Sequence, residues 1–235
     1  MIPKINDTPK YDLIVPSSGK KVRYRPYLVK EEKVLMTAFQ SENPQHSYKA
    51  VADTILACVA EDLNVRDLTL YDVEYMFTKI RSKSAGETAD MNIGCSKCKT
   101  SQPVTIDMDN VEMQSVPSSK KIDLGDGISV EVHHPKFMEL VDNETLMMEK
   151  QNHLKIIQTI GSSIKKIFTA DEVVITSEEK FEDLIDFVES LNDYQFGMVR
   201  DFIEDTPKLE YKVDFKCVSC GEHNHYNIKE PEHFF

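Results

Sequence analysis

The sequence predicts an α+β protein of two related halves, each a strand, several helices and a β-hairpin. Apolar residues recur at helical spacing between short strand-like runs. The order strand, proline, helices, hairpin occurs twice. Each hairpin has a Cys-x-x-Cys tip, Cys95-Ser96-Lys97-Cys98 and Cys217-Val218-Ser219-Cys220.

The first 20 residues hold three prolines and Ser17-Ser18-Gly19. They read as an arm (1–20) with one turn, in which Tyr11-Asp12-Leu13-Ile14-Val15 pairs with a strand at 21–25. The first half (21–108) continues with Pro26, a helix over 29–39, a helix over 47–63 with Val51, Ile55, Cys58 and Val59 at helical spacing, and a third helix opened by a capping box at Thr69-Leu70-Tyr71-Asp72. Residues 109–121 are polar, end in Pro117-Ser118-Ser119-Lys120-Lys121 and read as a joint. The second half (122–230) repeats the order: a strand at 128–132, Pro135, and helices over 137–149 and 153–168. The last of these carries Ile156, Ile157, Ile160, Ile164 and Phe168. Two further helices follow, 181–191 and 196–204, the second capped by Asn192-Asp193-Tyr194-Gln195. Pro26 and Pro135 lie 109 residues apart (135 − 26), and Cys95 and Cys217 lie 122 apart (217 − 95). The 13-residue excess is about one extra helix.

Two Cys-x-x-Cys knuckles supply a thiolate tetrad of the kind that tetrahedral structural zinc takes. Cys95, Cys98, Cys217 and Cys220 are therefore the candidate ligands of one shared, zinc-ribbon-like site that joins the halves. An all-thiolate site has no open position for water, so it holds a fold together and does not hydrolyse. Two disulfides, two separate thiol pairs, a redox pair or an empty site are the competing readings. His223 and His225 could replace a thiolate, but their place on the outgoing strand suits solvated residues. Cys58 sits on an apolar helical stretch and reads as a core thiol.

Composition narrows the function. With 40% hydrophobic and 29% charged residues the chain reads as an ordinary soluble globular protein. No apolar run approaches the roughly 20 residues of a membrane span, and residues 1–7 have no signal-like apolar stretch. A reducing cytoplasm is then expected, which favours metal over disulfide. The net charge of −12 opposes nucleic-acid binding, which depends on basic patches. Two local basic clusters stand against that balance, Lys20-Lys21-Val22-Arg23-Tyr24-Arg25 and Lys79-Ile80-Arg81-Ser82-Lys83. With 8 glycines no phosphate loop is visible, and no nucleophile elbow or His-Glu-x-x-His helix occurs. His133-His134 reads as an exposed strand end, and Glu178-Glu179 and Glu182-Asp183 as solvated helix faces. No catalytic residue is assigned. Leu146, Met147 and Met148, with the terminal Phe234 and Phe235 (tail 231–235), are the apolar groups least expected to be satisfied internally, so they are the candidate partner contacts.

Several segments together carry a family resemblance. They are 13–26 (LIVPSSGKKVRYRP) with Leu28-Val29-Lys30-Glu31-Glu32-Lys33, then Tyr71-Asp72-Val73-Glu74-Tyr75-Met76-Phe77-Thr78-Lys79-Ile80-Arg81-Ser82-Lys83-Ser84, both knuckles, 191–202 leading to Pro207, and Phe234-Phe235. From about residue 3 to 235 the chain resembles the small baseplate hub subunits of T-even-like contractile-tailed bacteriophages, including cyanophages. The resemblance implies a non-enzymatic role in building the hub in the host cytoplasm, bound to other phage baseplate hub proteins, with or without residence in the virion. It implies no small-molecule substrate and no membrane, and it assigns no role to any single residue. The rival of another class is a zinc-ribbon regulator that binds nucleic acid.

Overall fold

The computed structural model describes residues 8–41, 43–113, 119–142 and 153–228. Within them the protein is mixed α+β, with four small sheets and seven α-helices. Three hydrophobic cores organise it.

The first core follows from the arm and the first helices. Strand β1 (Tyr11–Ile14) turns back through Ser17 and Gly19 to pair antiparallel with β2 (Lys21–Tyr24), as its alternating pattern predicts. Helices α1 (Val29–Phe39), α2 (Pro44–Cys58) and α3 (Leu70–Ala85) pack against it. Asn43 caps α2, with Pro44 at the first helical position, where a missing N–H costs nothing. Val15, Ile55, Met76 and Ile80 are buried between these elements. Cys58 is buried among them, and burial pushes its thiol up to about 11.

Asp72 ties this lobe together. Its carboxylate closes the expected capping box with Thr69. It also accepts the Ser17 N–H at 2.8 Å and the Ser17 hydroxyl at 2.5 Å, so one fully buried carboxylate fixes both the N-terminus of α3 and the β1–β2 turn.

The second core lies on a four-stranded antiparallel sheet in the order β6-β7-β8-β9: β6 (Ser119–Gly125), β7 (Ile128–His133), β8 (Ile164–Phe168) and β9 (Val173–Ile175). Helices α5 (His153–Ser163), α6 (Phe181–Glu189) and α7 (Asp193–Glu204) contribute Ile160, Leu184, Val188 and Val199 to the core on this sheet. The helix read over 153–168 is corrected here. It stops at Ser163, and Ile164-Lys165-Lys166-Ile167-Phe168 is a strand paired with β7. With β-branched Ile164 and Ile167 beside an open sheet edge, the run gains more from cross-strand pairing than from continuing the helix.

Sequence order and packing order differ. Helix α4 (Phe137–Asp142) follows β7, yet Phe137 and Val141 belong to the first core, and the Phe137 N–H donates to the Leu68 carbonyl at 2.9 Å. Residues 109–121, read as a polar joint, hold β5 (Glu112–Met113) and the start of β6. His134 is buried, against expectation. Its ring stacks on Phe202 with 4.5 Å between centroids and meets Tyr71 edge-on at 5.6 Å, so it joins α3 to α7.

The third core joins two hairpins, β3 (Thr88–Gly94) with β4 (Ser101–Asp107), and β10 (Leu209–Lys216) with β11 (His223–Ile228). Val104, Ile106 and Met108 meet Leu209, Tyr211 and Val213, while β5 extends the β10 sheet. The register puts both Cys-x-x-Cys tips at the same end of this core.

Candidate metal centre

Each knuckle is a turn closed by the same two backbone bonds. The first cysteine donates its N–H to the carbonyl five residues on, Cys95 to Thr100 at 2.9 Å and Cys217 to Glu222 at 2.8 Å. The residue four positions on donates back, Lys99 to Cys95 and Gly221 to Cys217, each at 3.0 Å. That residue has positive φ in both knuckles, 61° at Lys99 and 72° at Gly221. Glycine takes this conformation freely, whereas Lys99 takes it at a cost that the turn must offset.

The matched turns bring the four sulfurs together. All lie within 4.8 Å of one another, with Cys95 and Cys220 at 3.7 Å and Cys98 and Cys217 at 3.5 Å. These are free thiols, far beyond the roughly 2.05 Å of a disulfide bond. Cys95 and Cys217 are buried, and Cys98 and Cys220 are exposed. The cluster could hold a metal ion.

Its electrostatics suit a cation. The Cys98 N–H aims at the Cys95 sulfur, assisted by the Lys97 N–H and the Asn224 amide, and holds that thiol down at about 6 against desolvation. The Thr100 hydroxyl and N–H lower Cys98. The Glu222 N–H pulls Cys220 the same way, but desolvation and the other three sulfurs outweigh it and push that thiol up to about 12. Four thiolates this close repel, and a bound divalent cation removes the conflict.

Two amides that the sequence analysis passed over bolt the knuckles to each other. Gln102 and Asn224 each lie seven residues after the first cysteine of their own hairpin (102 − 95 and 224 − 217). Both are buried, at 8% and 2% exposure, at inward-facing strand positions. Gln102 Oε1 accepts the Val218 N–H at 2.8 Å, and its amide nitrogen donates to the Lys216 carbonyl at 3.2 Å. Asn224 Oδ1 accepts the N–H and the hydroxyl of Ser96, both at 2.8 Å. The Tyr226 hydroxyl donates to the Gly94 carbonyl at 2.7 Å, and Lys97 pairs with Glu222 at 3.0 Å. A polar residue at the same offset behind each Cys-x-x-Cys, where an apolar one would be expected, was the available signal.

The remaining candidates fall elsewhere. His223 and His225 are exposed strand residues outside the thiol cluster, and His225 pairs with Asp214. Five of the seven cations in the basic clusters are engaged within the chain, three of them by carboxylates. Lys20 donates to the Asp62 carbonyl, Arg23 pairs with Glu61 and Arg25 with Glu31. Lys79 donates to the Asp109 carbonyl, and Lys83 bonds the carboxylates of Asp109 and Glu87. Leu146, Met147, Met148, Phe234 and Phe235 lie outside the described residues. Among the described residues no helix is long and apolar enough to cross a membrane.

Residues 8–235 match the family described as T4 bacteriophage base plate protein. No curated protein and no solved structure matches the chain.

Proposed function

We propose, from the premise that the chain belongs to the T4 bacteriophage base plate protein family, that it is a non-enzymatic hub subunit or hub assembly factor that binds other baseplate hub proteins. The family match over nearly the whole chain supports the baseplate role, and the hub assignment extends it. Two related halves would meet at a structural zinc held by Cys95, Cys98, Cys217 and Cys220. A tetrahedron with Zn–S of about 2.3 Å has sulfur–sulfur edges of about 3.8 Å, close to the separations between the knuckles. Such an ion supplies folding free energy and no hydrolytic chemistry.

Protein binding is supported by α1, which leaves Val29, Met36 and Phe39 exposed at helical spacing. The nucleic-acid alternative is weakened because most cations of the basic clusters face this chain's own carboxylates and carbonyls. Affinity capture from infected cells, read by mass spectrometry, tests the role. Recovery of baseplate hub proteins is expected; capture of none, together with a salt-dependent gel shift on DNA or RNA, would favour the regulator. The tail is the proposed anchor, with the 146–148 run as the second candidate. Deleting Phe234 and Phe235 is expected to weaken hub association by more than about 2 kcal/mol while the melting temperature holds. A large loss of stability with association intact would make the tail a core element.

A further inference from the structure

We propose that the four-thiol centre is also a peroxide-sensitive modification site, which without metal closes two disulfides between the knuckles, Cys95–Cys220 and Cys98–Cys217. This rests on the same reading of the cluster as a metal site and adds a second state to it.

The geometry supplies the pairing. Each pair already faces across the gap, at 3.7 and 3.5 Å, so side-chain rotation can bring the sulfurs to bonding distance. A bond inside either Cys-x-x-Cys would instead close a four-residue ring across a turn fixed by its own hydrogen bonds. Protein groups also hold the knuckles in apposition. The Gln102 and Asn224 amides, the Tyr226 hydroxyl and the Lys97–Glu222 pair hold the knuckles together through protein groups alone. Each proposed pair joins one exposed residue, Cys98 or Cys220, to one buried residue, Cys217 or Cys95.

The chemistry balances with a hydroperoxide as oxidant. The thiol of the more exposed residue attacks the peroxide, the O–O bond breaks, and a sulfenic acid and one water form when the peroxide is hydrogen peroxide. The facing buried thiol attacks that sulfur, the S–O bond breaks, and a second water leaves as the disulfide forms. Each disulfide thus consumes one peroxide and two thiol protons. A component made in a reducing cell interior and later exposed to an oxidising exterior would keep its knuckles joined in both settings.

The test uses the full chain, analysed for metal, then freed of it with chelator under reductant. After the reductant is removed it receives stoichiometric hydrogen peroxide, remaining thiols are alkylated, and the protein is digested without reduction. Cleavage after Lys97 separates Cys95 from Cys98. Peptides carrying Cys95 and Cys98 are expected linked to the Cys217–Cys220 peptide, with fragmentation placing the bonds at Cys95–Cys220 and Cys98–Cys217. Predominant Cys95–Cys98 and Cys217–Cys220 bonds, or sulfinic acids without cross-links, would overturn the inference. The C95S/C220S variant keeps one facing pair and is expected to form Cys98–Cys217; its failure to cross-link would overturn it equally. The initial metal analysis reports separately on the metal reading. Cross-linking in a chain that never carried metal sinks that reading alone, and a metal-bearing chain that does not cross-link sinks this inference alone.

Discussion

Single side chains decide two properties of the protein. Asn224 satisfies both the N–H and the hydroxyl of Ser96 from a buried position. Replacing it with alanine leaves that N–H without its acceptor, so Asn224→Ala is expected to cost about 1–3 kcal/mol in a denaturant titration. His225→Ala on the same strand is exposed and should be near neutral. Glu74 on α3 sets a pH dependence. Burial raises its carboxyl from 4.5 to about 7 against the partial relief of the Lys208 ammonium, with Tyr211 the other ionisable group beside it. Between those pH values the unfolded chain has lost a proton that the folded chain keeps, so stability falls as pH rises through this window and levels off above it. Glu74→Gln is expected to narrow the difference in unfolding free energy between about pH 5 and pH 8 by on the order of 2 kcal/mol. An unchanged pH profile would show that Glu74 ionises freely. The four cysteines were legible in the sequence because Cys-x-x-Cys spacing is itself a chemical signal. Gln102, Asn224 and His134 were not, because an amide or imidazole on a strand reads as solvated until the register shows which way it faces.

Elements were legible where their ends carry local chemistry. The Thr69 capping box marked the start of α3, Asn192 caps α7 although that helix begins at Asp193 and not at 196, and the β1–β2 pairing was read from the strand-like runs either side of the Ser17–Gly19 turn. Element type failed at β8, where Ile156, Ile160 and Ile164 fall at helical spacing although the chain turns to strand at Ile164. Periodicity cannot register the open edge of β7 that captures this segment, because that edge is a tertiary fact. Placement failed at α4, whose Phe137 and Val141 serve the first core. The strongest element-level test is the cap that also binds a distant turn. Asp72→Ala removes the acceptor of four donors at once, from Ser17 and Thr69. A loss of about 3 kcal/mol is expected, with faster amide exchange in both α3 and the β1–β2 turn. Exchange confined to α3 would mean that the Ser17 bonds carry no coupling.

At the scale of the whole molecule, a third core built mainly on two hairpins packs against α3 of the first core through Tyr75, and the thiol cluster sits at the tip of that third core. A metal there closes a loop of more than a hundred residues, so a small site has long reach over the fold. The recurring order of elements reads as two halves, a proposal here, while the packing of α4 on the first core and of β5 on β10 was beyond any linear reading. Whether the tetrad carries zinc decides what the third core does for the fold. Elemental analysis of the chain purified without chelator, with the thiols titrated before and after metal removal, tests this most directly. Close to one zinc per chain is expected, with Cys95, Cys98, Cys217 and Cys220 becoming reactive only once it is removed. Less than about a tenth of an equivalent of any metal, with those thiols equally reactive before and after chelation, would contradict it.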